Sequence, residues 1–206
     1  MKKFRSISKF PRCILGCVLV VSFSTALFSQ NVKITSEPSR KALVSEEGDK
    51  VLASGGAFGA AIFDNLTSSG ILKLNGTTVK NTLHVDGSLL TQGANLNAVE
   101  VVGEANFKNT IIAQAIQVVG SLRAEKCTFK GHLNITGIRA TFLGSQIGSI
   151  HVSKESNCKG HQIIELKQKT SVDGPIVFES GKGEVHSYPG SYVSGPITGG
   201  KLIKKN

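Results

Sequence analysis

Cleaving a glycosidic bond takes two or three carboxylates within about 5–10 Å of one another, one as acid and one as base or nucleophile. In this 206-residue chain the aspartates in matching contexts are Asp86 (Val85-Asp86-Gly87) and Asp173 (Val172-Asp173-Gly174). Five histidines, His84, His132, His151, His161 and His186, share no column of the repeat set out below, so neither a metal cluster nor a catalytic pair is suggested. They read as outward-facing polar residues. Glu179-Ser180-Gly181-Lys182-Gly183 is superficially like a phosphate loop, but it lacks the leading glycine and the Ser/Thr after the lysine. It reads as a tight turn. Tyr188 and Tyr192 are the only tyrosines, and their rings could stack on a sugar. They are the sole candidate ligand contacts, and no catalytic residue, cofactor or metal ligand is expected.

Charge narrows the partners. The net charge is +10, but Lys2, Lys3, Arg5, Lys9 and Arg12 lie in the first dozen residues, and no acidic residue comes before Glu37. Apart from Lys201, Lys204 and Lys205, the later positives are scattered. A nucleic-acid binder would show a clustered stripe with interleaved aromatics, so no nucleic-acid partner is expected.

The basic start is followed by an apolar run from Cys13 to Phe28 (CILGCVLVVSFSTALF) and then small residues. This is the order of a bacterial secretory signal, too short for a comfortable membrane span. Cleavage after Ala26 or Ser29 fits. A lipid on Cys17 fits less well, because Ile14-Leu15-Gly16-Cys17 sits at the start of the apolar run. The mature chain is expected to be periplasmic or on the outer surface.

The elements that would position the candidate side chains come from a repeat. Gly70, Gly87, Gly103, Gly120 and Gly137 are spaced 16 or 17 residues apart. In phase with them stand two aliphatic columns, Leu83, Val99, Ile116, Leu133, Ile150 and Val85, Val101, Val118, Ile135, Val152. The residues between these columns are polar. That is period-2 alternation inside a period of about 17, one half-buried strand per repeat. Further columns are Leu72, Leu89, Ala105, Leu122 and Val79, Leu96, Ile112, Phe129, while Gly76, Gly93 and Asn109 suit a turn needing positive φ. Aromatics make up only 6% of residues, which suits short strands rather than a conventional globular core. The expected fold is all-β, a single-stranded parallel β-helix (β-solenoid) in which each coil buries the next.

The pattern loosens after Lys154 and resumes at Val172-Asp173-Gly174-Pro175-Ile176 and Val193-Ser194-Gly195-Pro196-Ile197, giving expected coils of 20 and 21 residues with longer loops. The chain therefore divides into a signal peptide (1–29), a flexible lead and N-terminal cap (30–69), the β-helix (70–200) and a basic tail (201–206). Asp86 and Asp173 would occupy equivalent positions five coils apart, about 24 Å at the strand spacing, and cannot share one substrate bond. Both read as turn residues bonding the backbone. Cys127 and Cys158 are 31 residues apart, nearly two regular coils or about 9–10 Å, beyond the reach of a disulfide. The irregular coil after Lys154 could shorten that distance, so their pairing stays open.

The 17-residue coil, the aliphatic columns and the V-x-G turns (VDGSL, VVGEA, VVGSL, ITGIR) resemble the bactofilin family of bacterial polymer-forming proteins. The resemblance implies a right-handed coil and self-association through the coil ends. Two departures are the export signal and the longer C-terminal loops. The expected function is that of an exported, non-enzymatic structural or scaffolding protein of the bacterial envelope. The alternative is a surface or periplasmic binding module or adhesin that uses the loops of residues 154–200. Expected partners are a second copy, an envelope protein or a glycan.

Overall fold

The computed structural model describes residues 45–154 and 160–206. The signal segment, the lead up to residue 44 and Cys158 lie outside the described residues. So do the cleavage site, the Cys17 alternative and the Cys127–Cys158 pairing.

The described residues form one all-β solenoid of parallel strands, about nine turns of about 17 residues, with no helix. Its strands are β1 (Ser45–Leu52), β2 (Gly55–Phe58), β3 (Ala61–Asn75), β4 (Thr78–Gln92), β5 (Asn95–Lys108), β6 (Ile111–Ile112), β7 (Ile116–Glu125), β8 (Thr128–Thr136) and β9 (Arg139–Leu143). They continue as β10 (Gln146–Val152), β11 (Gln162–Lys167), β12 (Ser171–Val172), β13 (Ile176–Phe178), β14 (Gly183–Ser187), β15 (Tyr192–Val193), β16 (Ile197–Thr198) and β17 (Gly200–Lys204). Each coil has three sides. In β3, β4 and β5 one strand runs through all three, with a register shift at the corner between the first and second sides and a single glycine, Gly70, Gly87 or Gly103, at the corner between the second and third.

The aliphatic columns face inward, as their spacing predicts. Leu83, Val99, Ile116, Leu133 and Ile150 are in direct register from coil to coil and all buried. So are Val85, Val101, Val118, Ile135 and Val152. Burying each such side chain contributes about 1.5–3 kcal/mol. The column begun by Leu72 runs on through Leu122, Ala140, Ile164 and Val185 to Leu202. Phe107, Phe129 and Phe142 pack edge to face in the interior, with ring centroids 6.1 and 5.9 Å apart.

The marker glycines form a ladder. Gly87, Gly103 and Gly120 have φ of +138°, +131° and +133°, and a Cβ on any of them would overlap the carbonyl oxygen of the glycine one coil before. Coils can stack at the strand spacing here only because no side chain is present. At the next corner Gly76, Gly93 and Asn109 have φ of +67°, +65° and +48°, and Lys126 follows at +53°.

Three features differ from the sequence reading. The coils start earlier than residue 70: β1 and β2 pair along β3, so residues 45–58 form a terminal coil of the same kind. Gly200–Lys204 is a strand in register with β14, so the basic tail belongs to the last coil. The third difference is phase. Gly174 and Gly195 do not continue the Gly70–Gly137 ladder. Gly174 packs on Gly148 and Gly195 on Gly174, at the corner that precedes Ile150, Ile176 and Ile197. The coil holding residues 155–159 is accordingly longer, since Ile176 aligns with Ile150, 26 residues back. Similar short motifs, Val-x-Gly, serve two different corners.

Candidate functional site

Asp86 and Asp173 sit at different corners and are not equivalent. Asp86 is in the outward row between Ser69 and Val102, and Asp173 precedes the Gly174 corner. Among the described residues neither carboxylate is hydrogen-bonded through its side chain, so neither locks a turn as expected. Contrary to the sequence reading that the histidines share no column, His84 and His151 fall in one outward column, four coils apart, each beside a glutamate: His84–Glu100 at 3.2 Å and His151–Glu179 at 3.2 Å. Their separation rules out a joint site.

The structure does bring His161 and His186 together, through a residue the sequence did not single out. Both contact Glu184 on the outer face of β14: His161 Nδ1 at Oε1 (2.6 Å) and His186 Nε2 at Oε2 (2.9 Å). Lys201 of β17 reaches Oε1 at 3.2 Å. Hydrogen bonds from His186, then His161, then Lys201 hold the Glu184 carboxyl down at about 2. The cluster joins the approach to β11, β14 and the terminal coil.

A second carboxylate lies on the neighbouring coil of the same face. Glu165 accepts hydrogen bonds from Lys167 Nζ (2.9 Å) and Thr141 Oγ1 (3.1 Å), with Arg139 at 3.5 Å. Partial burial pushes its carboxyl up. The bonds from Lys167 and Thr141 and the two cations outweigh that and leave it below the ordinary value. A general acid needs a raised carboxyl near the working pH. Both glutamates are driven the other way, and their oxygens are already occupied by donors.

Tyr188 and Tyr192 flank the turn Tyr188-Pro189-Gly190-Ser191, closed by the Ser191 N–H to the Tyr188 carbonyl (3.0 Å) with Gly190 at φ +82°. This is the Pro-Gly type II geometry. The rings meet different surroundings. Lys167 Nζ stands 4.8 Å from the Tyr188 ring centre and covers that face, whereas Tyr192 is 56% exposed on the adjoining side. The Glu179–Gly183 segment is a tight turn, as read, with Gly181 at φ +69°. A groove beside it is lined by His161, Lys182, Lys201 and four glycines. Three of those glycines have a packing cause: the Phe178 ring would overlap a Cβ on Gly183 or Gly200, and its carbonyl one on Gly199, whereas Gly181 faces open space.

One ladder escaped the sequence reading. Thr77, Ala94, Thr110, Cys127, Ser145, Thr170 and Ser191 stack immediately after the positive-φ corner. Ser145 Oγ accepts the Cys127 N–H (3.1 Å), Thr170 Oγ1 accepts the Ser145 N–H (3.3 Å) and Ser191 Oγ accepts the Thr170 N–H (3.1 Å). The signal was a small residue seven after the marker glycine in four coils, Thr77, Ala94, Thr110 and Cys127, which moves to eight at Ser145 and is lost where the period breaks. Cys127 sits inside this ladder, and burial pushes its thiol up to about 11. Among the described residues no group of three His, Cys, Asp or Glu side chains is placed to hold a metal ion.

No family model, curated protein or solved structure matches this chain.

Proposed function

We propose that this chain is an exported, non-enzymatic structural protein of the bacterial envelope that associates with itself through the ends of its solenoid, as its likeness to bactofilins implies. One observation carries the reading. In the column from Leu72 to Leu202 every member up to Val185 is buried, and only Leu202, in the last described coil, is 45% exposed. An uncovered sheet edge with inward-column apolar side chains is a template for another chain. The basic and apolar residues 1–29 support export. Light scattering on the full chain tests the association: mass that rises with concentration, with chains of particles in negative stain, is expected. A strict monomer at high concentration removes it.

A glycan-binding role has one observation in its favour, the 56% exposed ring of Tyr192. A glycan array measures it. A hit lost in Tyr192→Ala is expected for this role, and a blank array rejects it.

A further inference from the structure

We propose that the copies join head to tail, the C-terminal coil of one docking on the N-terminal coil of the next so that the inward columns run on through the junction. This rests on the self-association proposed above and adds its polarity.

Charge is distributed along the solenoid axis. Residues 45–104 hold seven acidic and three basic side chains. The described residues from 105 onward hold twelve basic and five acidic ones. The terminal coils concentrate the contrast, with Glu46, Glu47 and Asp49 at one end and Lys201, Lys204 and Lys205 at the other. Opposite ends attract, and like ends would set the three acidic or the three lysine residues of two copies against each other.

Register adds shape. The column that ends in the exposed Leu202 begins at Gly56, which has no side chain and is flanked by the half-buried Leu52 and Phe58. A docked copy therefore sets Leu202 on a glycine with apolar walls. Lys50 heads the column that ends in Ile197, yet it adds no unpaired charge to the junction. Its ammonium pairs with Glu47 and lies 5.0 Å from the Phe58 ring centre. Head-to-tail docking also continues the parallel pairing of every other coil, whereas two like ends related by a twofold axis would meet antiparallel.

The test uses the full chain with one end blocked at a time. Leu202→Asp blocks the C-terminal coil. Gly56→Glu blocks the N-terminal coil, and a Cβ there meets only the mobile ends of Leu52 and Phe58. Each variant, checked for wild-type circular dichroism, is expected to weaken self-association about 30-fold or more, the loss of one central contact. An equimolar mixture is expected to stop at a particle of two chains, because one open end of each kind remains. Raising salt is expected to weaken wild-type association. A homodimer of either blocked variant alone, or association strengthened by salt, overturns the polarity and leaves self-association standing. A wild-type monomer at every concentration overturns both.

Discussion

The α-carbon of Gly120 lies against the carbonyl oxygen of Gly103 one coil before it, so closely that a methyl group there would overlap that oxygen. Its φ of +133° is also closed to other residues. Gly120→Ala is therefore expected to cost about 3 kcal/mol or more, from backbone displacement added to conformational strain. Gly76→Asn is the matched control, because Gly76 (φ +67°) faces open space and Asn109 already fills the equivalent corner at +48°. Urea unfolding of the two variants should separate them clearly; equal losses would mean that the stacking of the glycines is not what limits the corner.

Ser145 serves two coils at once. Its Oγ accepts the Cys127 N–H and donates to the Leu143 carbonyl, both at 3.1 Å. Ser145→Ala orphans a buried N–H and is expected to destabilise by about 1–3 kcal/mol. Faster hydrogen exchange at the Cys127 amide is the local signature, and unchanged exchange there would show that another group takes over the bond.

Ser68 goes the other way. It stands fully buried in register with Leu52 and Val85, and its hydroxyl has no hydrogen-bond partner. Replacing it by alanine removes an unpaid desolvation, so Ser68→Ala is expected to stabilise by about 1 kcal/mol. A thermal scan should show a midpoint about 2–4 °C higher. A lower midpoint would show that the hydroxyl is satisfied by water.

Glu184 gives the fold an acid limit. Its carboxyl is lowered from 4.5 to about 2, so its contribution is fully present above 4.5 and is lost as pH falls from there toward 2. The stability difference between wild type and Glu184→Gln is therefore expected to persist at neutral pH and to shrink across that window. The detachment should start at the terminal coil that Lys201 belongs to, visible as early hydrogen exchange in Gly200–Lys204. A difference that does not change with pH would remove the ion pairs as its cause.

The sequence by itself determined the architecture, because each coil repeats the same contacts. A column such as Leu83, Val99, Ile116 and Leu133 needs the same residue type every 16 or 17 positions, and that periodicity is visible without coordinates. The positive-φ corner was legible for the same reason, since few residue types tolerate it. What only the tertiary structure decided begins where the period breaks. Across residues 153–161 the spacing no longer carries register, and Val172-Asp173-Gly174 reads like Val85-Asp86-Gly87 although it serves another corner. The meeting of His161, Glu184, His186 and Lys201 depends on that register, so no spacing rule announces it. The same holds for the hydroxyl ladder, whose bonds run between coils 18, 25 and 21 residues apart as the loops lengthen. Hydrophobic columns tolerate such changes in loop length because burial is non-directional. Hydrogen bonds and ion pairs are directional, and only the folded register aims them.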